Sequence, residues 1–416
     1  MTYLPHQLLA SEEATKLLGT LGYVYIAGKP RSGKTLTSIK VAENTTTKGN
    51  WLILTTKNAI TGWDKFLNNK NLVREYTNKY TVTNYEQLGK LTVNSKGKKV
   101  VTFKYDSTKY DGIILDEAHN YGVLGKPTSR ALILKVFSKE IKYMIYLSGT
   151  AIVESACGIY HQTWYGKTNP YSNFKKFYDF HRVYGIPCIL PLGGRSIQQY
   201  HKFKPELVDS INNFTIYMTQ EDAGISKELQ AVDKVHYIDL TTDTKTLYNK
   251  VVKEKLVTIN GIDIVCDSTM KLRTTLHMIE GGTVKQEDTY ITLGNTEKIE
   301  YIKNTFDLTK NTGIMCHFIQ ERKLLAEKLP MCIIYSSTSH SEGVDLSHLD
   351  NFIIYSSDYR GSKFIQRRDR IVNINGSKSL VVHHLLVKDS ISEQVYNKVS
   401  KKLDFNNATY ISKYLI

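Results

Sequence analysis

The sequence predicts an α/β protein organised on parallel, doubly wound sheet, and three observations carry that prediction. From about residue 20 to about residue 150, short apolar runs alternate with helix-compatible stretches. A glycine-rich loop, Gly28-Lys29-Pro30-Arg31-Ser32-Gly33-Lys34-Thr35, joins the apolar run Tyr23 to Ala27 to a helical stretch beginning at Leu36. A second apolar run, Gly112 to Leu115, ends in adjacent acids, Asp116 and Glu117. Alternation of this kind gives a parallel sheet with helices on both faces and polar residues gathered at the strand tips.

At 416 residues the chain exceeds what one hydrophobic core holds, so two packed domains with an insertion are expected. No run approaches the roughly 18 apolar residues of a membrane span. The opening MTYLPHQLLASEEATKLL has no basic stretch ahead of an apolar block and does not read as a signal peptide, so a cytoplasmic location is expected. Cys157, Cys188, Cys266, Cys316 and Cys332 are scattered without a CxxC or a histidine pairing, which argues for a reducing compartment and against structural zinc. The net charge of +15 points to a polyanionic partner, most often nucleic acid, and the 28 tyrosines include candidate stacking platforms for bases.

Taken in order, Leu4-Pro5-His6-Gln7 precedes an amphipathic stretch, Leu8 to Leu18. The Gln7 amide both donates and accepts, as reading an adenine edge requires. The loop from Gly28 to Thr35 is a complete GxxxxGK[ST] pattern between strand and helix signals. Its glycines let backbone N–H groups converge on phosphates; Lys34 reaches the β- and γ-phosphates and Thr35 holds Mg²⁺. Pro30, Arg31, Ser32 and Gly33 complete the cradle. Trp51 to Leu54 and Tyr80 to Val82 read as strands, with polar tips at Thr55-Thr56-Lys57-Asn58 and Thr83-Asn84-Tyr85. About eighty residues beyond the loop, Asp116 is placed to hold the metal and Glu117 to orient and deprotonate an attacking water. Met144 to Leu147 is a further strand, ending in Ser148-Gly149-Thr150, whose hydroxyls, with His119, are expected to couple the acidic site to the next domain.

GKPRSGKT, TTKNAITGW, DEAH and SGT, in that order and spacing, resemble motifs I, Ia, II and III of superfamily 2 helicases and translocases, and Leu4 to Gln7 resembles the adenine-recognising element ahead of them. The resemblance implies two RecA-like lobes with parallel sheets, the first over residues 1–155 and the second over 235–416, with an insertion of mainly helical character, 156–234, after motif III. Within the insertion, aromatic and basic residues interleave around Tyr171 to Arg182. Two readings stay open there: a DNA-gripping surface carried by Lys175 and Lys176, or a core of aromatics with a solvated lysine face.

The second lobe resembles the Swi/Snf-type branch. Tyr248 and the stretch Met270 to His277 match its helices, Ser337 to Leu346 resembles motif V, and Gln366-Arg367-Arg368-Asp369-Arg370 resembles motif VI. By that resemblance Gly343 allows close approach to the nucleotide, Asp345 meets the ribose, Gln366 lines the ATP from the second lobe, and Arg370 contacts the γ-phosphate. The pattern's second arginine falls on Asn373, and whether Arg367 or Arg368 replaces it stays open. The resemblance implies ATP hydrolysis with Mg²⁺, single-stranded or forked or branched DNA as partner, and a DNA track along Thr55, Lys57, Thr83, Tyr85, Ser337 and Thr338. An RNA helicase, since DEAH also occurs there, and a nucleotide-gated DNA-binding module with little turnover, which Asn373 allows, stay open as alternatives. The compact length is reminiscent of bacteriophage Swi/Snf-like and UvsW-like helicases, which remodel forks and migrate junctions. Such an origin would place the protein in the host cytoplasm.

Overall fold

A computed structural model describes residues 3–68, 76–95, 97, 99–149, 155–192, 195–224, 232–337, 346, 348–359 and 381–401. The chain divides into two compact units, residues 1–225 and 226–416.

In the first unit the elements run α1 (Pro5–Leu21), β1 (Tyr23–Gly28), α2 (Lys34–Thr45), β2 (Asn50–Thr55), α3 (Ile60–Leu67), β3 (Lys79–Asn84), β4 (Gly89–Val93), β5 (Lys99–Phe103), β6 (Gly112–Leu115), α4 (Ser129–Phe137), β7 (Tyr143–Ser148), α5 (Ile159–Gln162), α6 (Phe177–Tyr184), β8 (Cys188–Leu192), β9 (Arg195–Gln199), α7 (Pro205–Asn212) and β10 (Thr215–Met218). Six of the strands form one parallel sheet in the order β10-β1-β7-β6-β2-β3. β7 therefore lies between the strand that feeds the glycine-rich loop and the strand that ends in the two acids.

The strands are apolar along their length because helices cover both faces, and successive residues divide between the two covers. Tyr25, Leu52, Leu54, Ile113, Leu115 and Tyr146 belong to one core cluster; Val24, Ile26, Trp51, Ile53, Ile114 and Leu147 belong to the other. The first of these cores also takes in Ala156, Ile159, Tyr160, Tyr171, Phe177, Phe180, Leu207 and Phe214. Of the segment expected as an accessory insertion, the part up to β10 packs within the first unit, with helices α5 to α7, a β8–β9 hairpin and the sheet's edge strand β10, whereas Val232 to Lys234 belong to a strand of the second unit. Its interleaved pattern resolves locally: Tyr171, Phe177 and Phe180 point into the core, and Lys175 and Lys176 are exposed.

The second unit runs β11 (Val232–Tyr237), α8 (Thr242–Glu254), the hairpin β12 (Leu256–Ile259) and β13 (Ile262–Val265), α9 (Thr269–Glu280), the hairpin β14 (Thr283–Gln286) and β15 (Thr289–Thr292), α10 (Glu297–Thr305), β16 (Thr312–Cys316), α11 (Ile319–Lys328), β17 (Ile333–Ser336), β18 (Asn351–Ile354), β19 (Val381–Leu386) and the helix Ile391–Val399. Its five-stranded sheet is also parallel, in the order β11-β19-β18-β16-β17. The protein is α/β with two parallel-sheet lobes of RecA-like kind, as the sequence predicts. No helix among the described residues is long and apolar enough to cross a membrane.

Adjacent strands of this sheet share a histidine pair. His236 Nε2 and His383 Nδ1, on β11 and β19, are 2.8 Å apart, so one proton serves the pair; His236 Nδ1 is 2.8 Å from the Tyr301 hydroxyl. Burial, then the charges of His236, Lys234 and His384, push the His383 imidazole down to about 4. An unfolded histidine takes up its proton near pH 6.5, well above the folded value. Stability carried by this pair is therefore complete above about pH 6.5 and is lost as the pH falls towards about 4. Thermal melting near pH 7.5 and near pH 5 should show a smaller acid-induced drop in His383→Gln than in the parent; equal drops would remove the pair from the acid sensitivity.

Candidate functional site

The glycine-rich loop takes its shape from two residues in the left-handed region, Arg31 (φ 67°) and Gly33 (φ 88°). Alternating backbone handedness turns successive N–H groups to one side, which makes a nest for an anion at the start of α2. Gly33 is required twice over. Its φ disfavours any side chain, and a Cβ there would lie 2.0 Å from the Gln7 amide nitrogen. Gln7 is buried, and its side-chain oxygen accepts the Leu4 N–H at 2.9 Å, so α1 is capped by the residue that walls the loop. His6 Nε2 lies 2.9 Å from the Ser32 carbonyl. On the other side, Lys29 N–H donates to the Met218 carbonyl and the Gln220 amide donates to the Pro30 carbonyl, both at 3.0 Å. A Cβ on Gly28 would stand 2.6 Å from Ser32 Oγ, a fully buried hydroxyl oxygen with no partner among the described residues. An orphaned hydroxyl inside a ring of converging N–H groups suits a phosphate oxygen. Lys34 and Thr35 occupy the first turn of α2 and are partly exposed.

Asp116 and Glu117 follow β6 and are both buried. Asp116 Oδ2 accepts from Thr55 Oγ1 at 2.8 Å and from the Trp63 indole N–H at 2.9 Å, and its Oδ1 accepts the Glu117 N–H at 3.0 Å. The Tyr85 hydroxyl donates to the Asp116 carbonyl. Burial, and then the Glu117 charge, hold the Asp116 carboxyl above the usual carboxylate range, while Lys34 and the Trp63 and Thr55 donors act in the opposite direction. Glu117 has φ 49°, ψ 48°, a conformation that costs a non-glycine residue about 1–3 kcal/mol and that aims its side chain away from the strand line. Its Oε2 is 3.3 Å from His119 Nδ1, which is itself 2.9 Å from Ser148 Oγ at the tip of β7. Below this, the Tyr25 hydroxyl donates to Gln162 Oε1 at 2.7 Å and also bonds with Ser148.

The arrangement fits Mg²⁺. A buried carboxylate beside a second one is electrostatically incomplete without a cation. Among the described residues no group of three or more acidic, histidine or cysteine side chains could cage an ion. Mg²⁺ ordinarily takes one or two protein ligands and fills its other positions with water and substrate phosphates. Thr35 and Asp116 are the residues that would hold it.

The structure separates the other expected residues by exposure. Lys57 is exposed on the turn that precedes α3. Thr55, Thr83 and Tyr85 are buried; Thr55 and Tyr85 turn towards Asp116, and Thr83 Oγ1 donates to Gln87 Oε1 at 3.4 Å. These three side chains therefore do not form the outer surface that the expected DNA track needs, because the Thr55 and Tyr85 hydroxyls face Asp116 at the tip of β6 and the Thr83 hydroxyl faces the turn after its own strand. In the second unit Ser337 is fully buried, its Oγ 2.8 Å from His317 Nδ1. Thr150, Thr338, Gly343, Asp345, Gln366, Arg367, Arg368, Arg370 and Asn373 lie outside the described residues.

Sequence reading assigns no role to Trp63, Gln162 or Gln220. Trp63 carries a signal: a buried indole N–H needs an acceptor, and polar strand tips lie close by in the fold. Gln220 carries none, because its contact with the loop spans 190 residues.

With Gly33→Ala, the strained backbone and the collision with Gln7 should weaken binding of a fluorescent ADP analogue by about tenfold or more. Unchanged affinity, measured by titration, would show that the left-handed turn does not hold the phosphates.

No protein-family model matches the chain. Over 97 residues, 23% of the chain, it is 27% identical to Helicase ssl-1 of Caenorhabditis elegans. The matched stretch spans 4% of that protein's length, and it supports a general relationship to helicases.

Proposed function

We propose that the chain is an ATP-dependent DNA helicase or translocase that remodels forked or branched DNA. The observation that carries this reading is the pairing, within the first unit, of an anion nest at the start of α2 with a buried, donor-held acid pair two strands away in the sheet. An anion nest alone fits many phosphates; with Asp116 and Glu117 it fits a triphosphate that is cleaved. The partial likeness to a helicase and the charge of +15 support nucleic acid as the polymer acted upon.

In this reading the nest and Lys34 bind and orient the β- and γ-phosphates of ATP, and Thr35 and Asp116 would hold Mg²⁺, which when bound would supply positive charge against the phosphate oxygens. Glu117 takes the proton of the attacking water, with its carboxylate oriented by the left-handed backbone and by His119. His119 passes any shift of Glu117 to Ser148 at the end of β7. Arg370 keeps, as a proposal, the γ-phosphate contact that its motif implies, Gln366 a place beside the ATP, and Gly343 and Asp345 the nucleotide contacts. Lys57, exposed beside the acid pair's donors, is the first unit's candidate contact to the DNA backbone. Phosphate contacts of this kind give little sequence preference and strong salt dependence.

Glu117→Gln should retain ATP binding and lower DNA-stimulated hydrolysis by about a hundredfold or more. Comparing single-stranded DNA, duplex DNA and RNA as activators tests the polymer, and stimulation by RNA alone would overturn the choice of DNA. Replacing the exposed Lys175 and Lys176 with Ala should weaken unwinding of forked and four-way DNA more than basal hydrolysis. Equal losses would make that surface structural.

A further inference from the structure

The donors to Asp116 have an order along the chain that the proposed hydrolysis does not by itself require. Thr55, the last residue of β2, and Trp63, in α3, both donate to the same oxygen, Asp116 Oδ2, at 2.8 and 2.9 Å. Between them run residues 56–62, where Lys57 and Asn58 are exposed. Both ends of an exposed, basic turn are thus fastened to one carboxylate oxygen. The two fasteners differ in kind. Thr55 belongs to a strand paired on both sides, with β3 and with β6, and cannot shift without the sheet. Trp63 belongs to a short helix that packs on the sheet through its indole and its partly buried neighbours Phe66 and Leu67. A helix of that size can rock on its contacts, and its hydrogen bond to Oδ2 is then the one that changes.

We propose that Trp63 is a positioning residue that couples a nucleic-acid phosphate on the Lys57 turn to Asp116, so that polymer binding sets the orientation of the metal-side carboxylate. This rests on the reading of Asp116 as that carboxylate and deepens it by naming how the polymer regulates the site. The phosphate recruits the Lys57 ammonium and moves the turn. The turn moves α3, and the indole N–H moves with it. Asp116 Oδ2, still gripped by Thr55, then rotates about its remaining donors. Tyr85, directly after β3, holds the Asp116 backbone by its carbonyl, so the motion is confined to the side chain.

Trp63→Phe keeps an aromatic ring in the core and removes the N–H. The ratio of DNA-stimulated to basal hydrolysis should fall about tenfold, the effect of losing one hydrogen bond to a charged acceptor. The Mg²⁺ concentration that half-saturates binding of a fluorescent ADP analogue should rise by a similar factor, a readout independent of turnover. The protein has three tryptophans, so the emission of the parent minus that of Trp63→Phe isolates Trp63; that difference should shift when single-stranded or duplex DNA is added without nucleotide. Should Trp63→Phe fail to fold, Tyr85→Phe loosens the same aspartate from its backbone side and should lower the stimulation ratio in the same direction. A folded Trp63→Phe with full stimulation and unchanged Mg²⁺ dependence overturns the coupling and leaves the proposed function standing. A parent protein that hydrolyses ATP without any response to DNA overturns both.

Discussion

A carboxylate removed from water must be given something in water's place, and much of the first unit is arranged around that requirement at Asp116. The residue ends a strand buried on both faces, where an unpaired carboxylate would be driven to protonate. Donors arrive from three directions: a strand hydroxyl, an indole and the next backbone N–H, with a tyrosine fixing the carbonyl behind. Each hydrogen bond to a charged acceptor contributes about 1.5–3 kcal/mol. Together they hold the carboxyl in one orientation; under the proposed function, a site oriented in advance would spend no reorganisation when charge develops.

Strand order explains why those donors meet. β2 pairs with β6, which brings Thr55 beside Asp116, and β7 separates β6 from β1. The gap left by β7 is occupied at its tip by Ser148, which bonds His119 and Tyr25. Hydroxyl, imidazole and phenol thus form a polar floor between the anion nest and the acid pair. A buried polar network of this type is stable only while its members stay satisfied, so a displacement at one end is felt at the other.

Much of this is legible in the sequence. Lys34, Thr35, Asp116 and Glu117 stand out as candidates because they sit in short motifs of fixed residue type and spacing, and the alternation of strand and helix signals predicts the parallel sheet that is found. The inward turn of Thr55 and Tyr85 is not legible. A polar residue at a strand tip can face a ligand or a neighbouring strand, and the neighbour is decided by strand order, which local pattern does not encode. The aromatic and basic residues around α6 show the same limit: composition is compatible with a gripping surface and with a core, and only packing against Ile159 and Phe214 shows that the aromatics belong to the core. Trp63 is visible as a residue and silent as a role, since its acceptor lies 53 positions away.

The edge strand β10 ties the nest to the order in which the chain is made. Lys29 and Pro30 are closed in by Met218 and Gln220, and the sheet position beside β1 stays vacant until those residues arrive. On a ribosome the glycine-rich loop is synthesised well ahead of the strand that walls it in. A nascent or proteolysed chain that stops soon after Ser148 would carry the loop, both acids and the polar floor, yet leave one flank of the loop open to solvent. Closure of that flank is in this way deferred until the first unit has been synthesised almost to its end.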